Sequence, residues 1–118
     1  MIEQAKLEAS ISDGILVARL EGEIDLSNCR ELRASLIREM SNSLMGLVID
    51  LTDIGYLDSA GIRTIFELRE DLDTRGQEMR LVVPRGSIVA TTLDLVDASS
   101  ALGIVADTES ALAEVARA

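Results

Sequence analysis

An α/β fold is predicted here: a mostly parallel mixed sheet of about five strands, with an antiparallel edge hairpin and about four helices. Three observations predict it. From residue 15 onward, segments of strand character alternate with segments of helical periodicity, a pattern that requires right-handed crossovers between parallel strands. The stretch Ile15-Leu16-Val17-Ala18-Arg19-Leu20 is apolar almost without interruption, as a strand buried on both faces should be. Before it, the turn Ser12-Asp13-Gly14 is short enough to impose antiparallel pairing with a first strand over residues 4 to 9.

The remaining elements follow in order. Gly22-Glu23-Ile24-Asp25 closes the second strand, and Ser27 is the expected cap of a helix running to about Met40. Leu32, Leu36 and Met40 recur at helical spacing with Cys29 on the same face, while Arg30, Arg33, Arg38, Glu31 and Glu39 read as a solvated face. Leu47 to Leu51 is a buried strand, followed by a short acidic loop. From Ser59 to about Leu72 the pattern is amphipathic again. Gly61, Ile65, Leu68 and Leu72 lie on one side, with Arg63, Glu67, Glu70 and Thr74 on the other, and Gly76 ends the helix. Met79 to Val83 is a strand stopped by Pro84, and a helix from about Ser87 to Asp97 turns Val89, Leu93 and Val96 inward. Ser99 and Ser100 read as turn residues, and Gly103 to Ala106 as a last short strand. Thr108 opens a terminal helix whose Ala111, Leu112 and Val115 share a face. With no repeat, linker or low-complexity tract, residues 1–118 read as a single domain.

Composition narrows the function. The net charge of −10 repels nucleic-acid backbones and anionic lipid, and the aromatic set of Tyr56 and Phe66 offers almost nothing for bases to stack on. A protein partner with basic patches is the natural complement. The absence of histidine removes the ordinary general base of a serine triad and the usual metal ligands, so no metal or cofactor is expected. No GxxxxGK[ST] loop is present, and Gly86 before Ser87 is a poor phosphate cradle. Cys29, the single cysteine, reads as a small buried hydrophobe. A secretory signal and a membrane-length apolar run are both missing, so a cytoplasmic location is expected.

The chain is organised around Asp50-Leu51-Thr52-Asp53-Ile54-Gly55-Tyr56-Leu57-Asp58-Ser59-Ala60-Gly61-Ile62, a strand end, a loop and a helix start with a serine at the joint. The first amides of a helix lack partners and present a positive dipole end. Ser59 there is either a structural cap or a hydroxyl open to another molecule, with Ala60 and Gly61 leaving room for approach. A rival reading is acidic chemistry, with Asp50 at a strand's carboxyl end and Asp25, Asp53 and Asp58 near it, as in a receiver-like or phosphatase domain. Against it, the only lysine is Lys6 in the first strand, and Asp50-Leu51-Thr52-Asp53 misses an Asp-x-Asp spacing.

Leu57-Asp58-Ser59-Ala60-Gly61-Ile62, after Leu47-Val48-Ile49-Asp50-Leu51, resembles the phosphorylation-site segment of the STAS family of anti-sigma factor antagonists. Gly22-Glu23-Ile24-Asp25 is similar to that family's Gly-Glu-hydrophobic-Asp segment, and Asp97 to Val105 to its late helix-to-strand passage. The resemblance implies a non-enzymatic switch. Its unphosphorylated form binds an anti-sigma factor that is also a serine kinase, phosphorylation of Ser59 reverses the binding, and a PP2C-type phosphatase resets the cycle. ATP and Mg²⁺ then belong to the kinase. Asp25, Asp58, Ala60, Gly61 and Arg63 would flank Ser59 on the docking surface, and Ala60 stands where the family often has a second serine. The alternative within the family is a structural subunit of a stress-signalling assembly or a membrane transport complex.

Overall fold

Period-two alternation along the inner strands assigns each residue to one side of the sheet, and two separate apolar clusters result. The computed structural model describes residues 5–98 and 101–118. Five strands, β1 (Ala5–Ser12), β2 (Ile15–Ile24), β3 (Gly46–Leu57), β4 (Glu78–Val82) and β5 (Ile104–Val105), form one sheet in that order. The β1–β2 pair is antiparallel and the other pairs are parallel. Leu16, Ala18 and Leu20 of β2 and Leu47, Ile49 and Leu51 of β3 join the larger core with α1 (Cys29–Glu39), α2 (Ser59–Thr74) and α3 (Ile88–Leu95). Ile15, Val48 and Val82 face the other way, against Ala111 and Val115 of α4 (Thr108–Arg117). The predicted α/β class, hairpin edge and four helices are therefore all present. Ser99 and Ser100, read as turn residues, lie outside the described residues.

The main correction concerns the acidic loop. Residues 52–57 are strand, because β2 also continues and carries β3 with it: Glu21, Gly22, Glu23 and Ile24 pair with Asp53, Ile54, Tyr56 and Leu57. Register shifts between Arg19 and Glu21 and between Gly22 and Glu23 interrupt the ladder, each placing an extra residue in β3, and Gly22 opposite the second takes a φ of +111°, a conformation that favours glycine. The buried positions Leu51, Ile54 and Leu57 consequently fall three apart, a spacing that hides the strand from a period-two reading. Asp50 thus sits in mid-strand, where its Oδ1 accepts from the Thr52 amide at 2.9 Å, well short of the strand's carboxyl end.

Helix boundaries follow local capping chemistry. Asn28, not Ser27, is the N-cap residue of α1, and the Ser27 hydroxyl instead donates to Asp25. Helix α2 ends as expected at Gly76, whose φ of +71° permits the paired bonds Gly76 N to Asp73 O (3.0 Å) and Gln77 N to Leu72 O (2.9 Å). Helix α3 closes with the same arrangement, Asp97 taking φ +54°, so Val96 falls at the cap and is exposed rather than inward, while Ala98 takes the buried place. Arg33 is not merely solvated: its guanidinium grips Asp71 at 2.8 and 2.9 Å and clips α1 to α2. That hydrogen-bonded carboxylate raises the Arg33 pKa further above its ordinary value.

Gly46 holds β3 against β4, because a Cβ there would lie 2.6 Å from the Glu78 carbonyl and 2.9 Å from Val115 Cγ1. Gly46→Ala should destabilise the fold by about 1–3 kcal/mol, read as a lower urea midpoint. At the start of α4, the Ser110 amide donates to Asp107 at 2.7 Å, which holds the Asp107 carboxyl below its ordinary pKa. The stabilisation from this cap is therefore present above the unfolded-state pKa and is lost as pH falls through the lower folded-state value. The Ser110 amide resonance should titrate with a midpoint below the ordinary aspartate range.

Candidate functional site

Asp58 is the N-cap of α2, and its two carboxylate oxygens serve two different chain segments. Oδ1 accepts from the Gly61 amide at 2.8 Å, capping the helix, while Oδ2 accepts from the Leu26 amide at 3.1 Å in the β2–α1 loop. The Asp58 amide in turn donates to Ile24 O at 3.2 Å. These bonds hold the β2–α1 loop beside the start of α2.

Ser59 consequently occupies the first helical position rather than the cap. It is exposed, and its hydroxyl has no hydrogen-bond partner among the described residues. Of the first amides of α2, that of Gly61 is taken by Asp58 Oδ1 and that of Ile62 donates to the Asp58 carbonyl at 3.0 Å, which leaves those of Ser59 and Ala60 outside the helical ladder. A free hydroxyl thus stands at a positive dipole end beside two uncommitted donors. Capping duty, the structural reading open for Ser59, belongs to Asp58.

Gly61 brings the two layers together. A Cβ there would meet Leu57 Cδ1 at 2.7 Å and Ile24 Cγ2 at 3.0 Å, so the small residue lets α2 close on the strand ends. Asp25 is half-buried and spends its Oδ1 on the Ser27 amide at 2.9 Å, shaping the same loop. Ala60 is half-buried and Arg63, one turn beyond Ser59, is exposed. Together with Leu26 and Arg30 they rim a shallow recess of about 320 Å³ between α1 and α2.

The structure therefore gathers Asp25, Asp58, Ser59, Ala60, Gly61 and Arg63 at one end of the sheet, and leaves Asp50 and Asp53 apart from them. Asp53 pairs instead with Arg19 at 3.5 Å on the sheet surface. No group of three or more His, Cys, Asp or Glu side chains placed to hold a metal occurs among the described residues. Two contributors escaped the sequence reading. Asn28 is buried and braces the loop, accepting from the Asp25 amide at 3.0 Å and donating to Glu23 O at 2.8 Å. Leu26 is 76% exposed beside the serine. Its one legible signal was an apolar residue between two polar loop residues, Asp25 and Ser27.

A family model described as STAS domain matches residues 6–111. The chain belongs to the STAS domain family. Among its relatives is the anti-sigma-F factor antagonist RsfB of Mycobacterium tuberculosis, 30% identical over 84 residues, which are 70% of this chain and 66% of RsfB. Sulfate transporter 3.1 of Arabidopsis thaliana is 26% identical over 87 residues, 64% of this chain but 13% of the transporter. The chain thus spans less than two thirds of either relative. Solved STAS structures share the fold. An anti-sigma factor antagonist from Mycobacterium paratuberculosis superposes with a TM-score of 0.82 at 22% identity, covering 94% of this chain and 93% of its own. The phosphorylated form of the Bacillus cell fate determinant SpoIIAA gives a TM-score of 0.64 at 15% identity, covering 93% and 99%. No helix among the described residues is long and apolar enough to cross a membrane.

Because one carboxylate serves both the cap and the loop, Asp58→Ala should cost about 1–3 kcal/mol, while Asp58→Asn, which retains a capping oxygen, should cost less. Hydrogen exchange should report Asp58→Ala as faster exchange at the Leu26 and Gly61 amides together. Acceleration at Gly61 alone would show that the loop is held by other contacts.

Proposed function

We propose that this chain is an anti-sigma factor antagonist of the partner-switching kind, and that Ser59 is its phosphorylation site. The observation that carries the reading is the exposed Ser59 hydroxyl at the first position of α2, released from capping by Asp58. The relationship to RsfB and the shared fold with phosphorylated SpoIIAA support it. The partner is an anti-sigma factor that is also a serine kinase, which supplies ATP and Mg²⁺, and a PP2C-type phosphatase removes the phosphate. All of this takes place in the cytoplasm, and the chain itself catalyses no step.

The switch works through local charge. Unphosphorylated, the surface around Ser59 offers a small hydroxyl, the half-buried Ala60, the apolar Leu26 and the exposed Arg63 to a docked partner. Phosphate adds about −1.5 to −2 charges and three acceptor oxygens, which the open Ser59 and Ala60 amides can take up without unfolding the helix. The partner then meets a bulky dianion beside the Asp58 carboxylate, with steric, desolvation and like-charge costs. Asp25, Asp58 and Gly61 contribute by holding the surface in shape, Ala60 and Arg63 by direct contact.

Ser59→Ala should keep partner binding and resist phosphorylation by the cognate kinase, while Ser59→Glu should weaken binding at least about tenfold, equivalent to 1.4 kcal/mol. Calorimetry with the purified anti-sigma factor and phosphosite mapping by mass spectrometry read these outcomes. Phosphate incorporated equally into Ser59→Ala would refute the site. The sulfate transporter relationship favours a second reading, a STAS module within a larger assembly. Copurification with transport components and an unmodified Ser59 would support that one.

A further inference from the structure

Arg63 stands one turn beyond Ser59 on α2, exposed and without an ion-pair partner among the described residues. The acids that could hold it are already engaged. Glu67, at the next turn, lies 3.5 Å from Arg33 Nη1, and Asp71, a turn further, is gripped by the same guanidinium at 2.8 and 2.9 Å. On the other side, Asp58 gives its two oxygens to the Gly61 and Leu26 amides. Arg63 is thus a cation left over beside the serine, in a chain with 21 acidic residues against 11 basic ones.

The spacing of the two residues gives that cation a use. Each Cα–Cβ bond of an α-helix tilts toward the N-terminus, so residue i+4 reaches back over residue i, with about 5–6 Å between their Cβ atoms. An acid before a base is the favourable order at this spacing, because it also suits the helix dipole. Ser59 and Arg63 acquire that order only when the hydroxyl carries a phosphate. The planar guanidinium can then take two phosphate oxygens at once, and it offsets a dianion that the net charge of −10 otherwise opposes.

We infer that Arg63 is the internal counter-ion of phosphorylated Ser59, pairing with the phosphate across one turn of α2. The inference rests on the reading of Ser59 as the phosphorylation site. Its consequence is that modification does two things to the surface. It adds an anion, and it also withdraws the guanidinium that the unmodified protein offers to a docked partner.

The full chain with phosphoserine installed at position 59 during translation tests the pairing without any kinase. A failure here is therefore separate from a failure of the phosphorylation site itself, which phosphosite mapping decides. In a ³¹P titration the second ionisation of the phosphate should have its midpoint about half a pH unit lower than in the same protein carrying Arg63→Gln, because the guanidinium favours the dianion. Arg63→Lys should recover part of the difference, as a point charge without the fork. Arg69→Gln makes the same charge change further along α2, where Arg69 meets Asp73 at 3.9 Å, and should leave the midpoint in place. The Arg63 Nε–H resonance should move with the phosphate titration. Thermal midpoints of the unphosphorylated variants check that each is folded. Equal midpoints with and without Arg63→Gln, an equal rise with Arg69→Gln, or an Arg63 Nε–H resonance indifferent to the phosphate would each overturn the assignment.

Discussion

The Asp58 carboxylate joins two amides, that of Gly61 at the start of α2 and that of Leu26 in the β2–α1 loop, 32 residues before Asp58. Each bond is ordinary, and their sharing of one side chain is what matters. A helix cap usually satisfies a single orphan donor, and a loop crossing the end of a sheet must find its own partners. Here one carboxylate meets both demands, so loop and helix are fixed relative to each other without a larger core at that end. The serine that follows is left free of structural work because the residue before it does all of it.

That arrangement depends in turn on how far the central strands run. Had β3 ended near Leu51, Asp58 would lie at the end of a loop with no defined relation to β2. The paired extension of β2 and β3, with an extra β3 residue at each of its two register shifts, carries Ile24 and Leu57 side by side to the rim, where Gly61 packs against both. Close approach at Gly61 and the buried Asn28 then complete the scaffold. Ser59 is presented at the junction of a paired strand and a capped helix, which suits the proposed site, whose modification would change a surface rather than a fold.

Much of this was legible from residue types. Leu32 and Leu36 on α1, Leu68 and Leu72 on α2, and Val89 and Leu93 on α3 all face the core as their 3.6-residue spacing requires. Gly76 ends α2 through its positive φ, and Ser87 caps α3 by accepting from the Ala90 amide. Periodicity was incomplete where a backbone conformation or a specific hydrogen bond decides a residue's role. Val96 looked inward by periodicity, but the left-handed Asp97 ends the helix first. Arg33 looked solvated, yet Asp71 meets it from another helix. Asp25 and Asp58 read as contact residues in a docking surface, while their carboxylates also accept backbone amides that shape the site.

The sequence by itself determined the class of fold, the inward faces of the helices and the place of Ser59 at a strand-to-helix joint, because these depend on spacing and on local backbone chemistry. Only the tertiary structure decided that residues 52–57 are strand, that Asp58 rather than Ser59 is the cap, and that Leu26 stands beside the serine. The strand extension and the place of Leu26 depend on a register and a hydrogen bond set by a segment some thirty residues away, and the cap on which of two adjacent side chains the fold turns to the Gly61 amide; a linear pattern encodes neither.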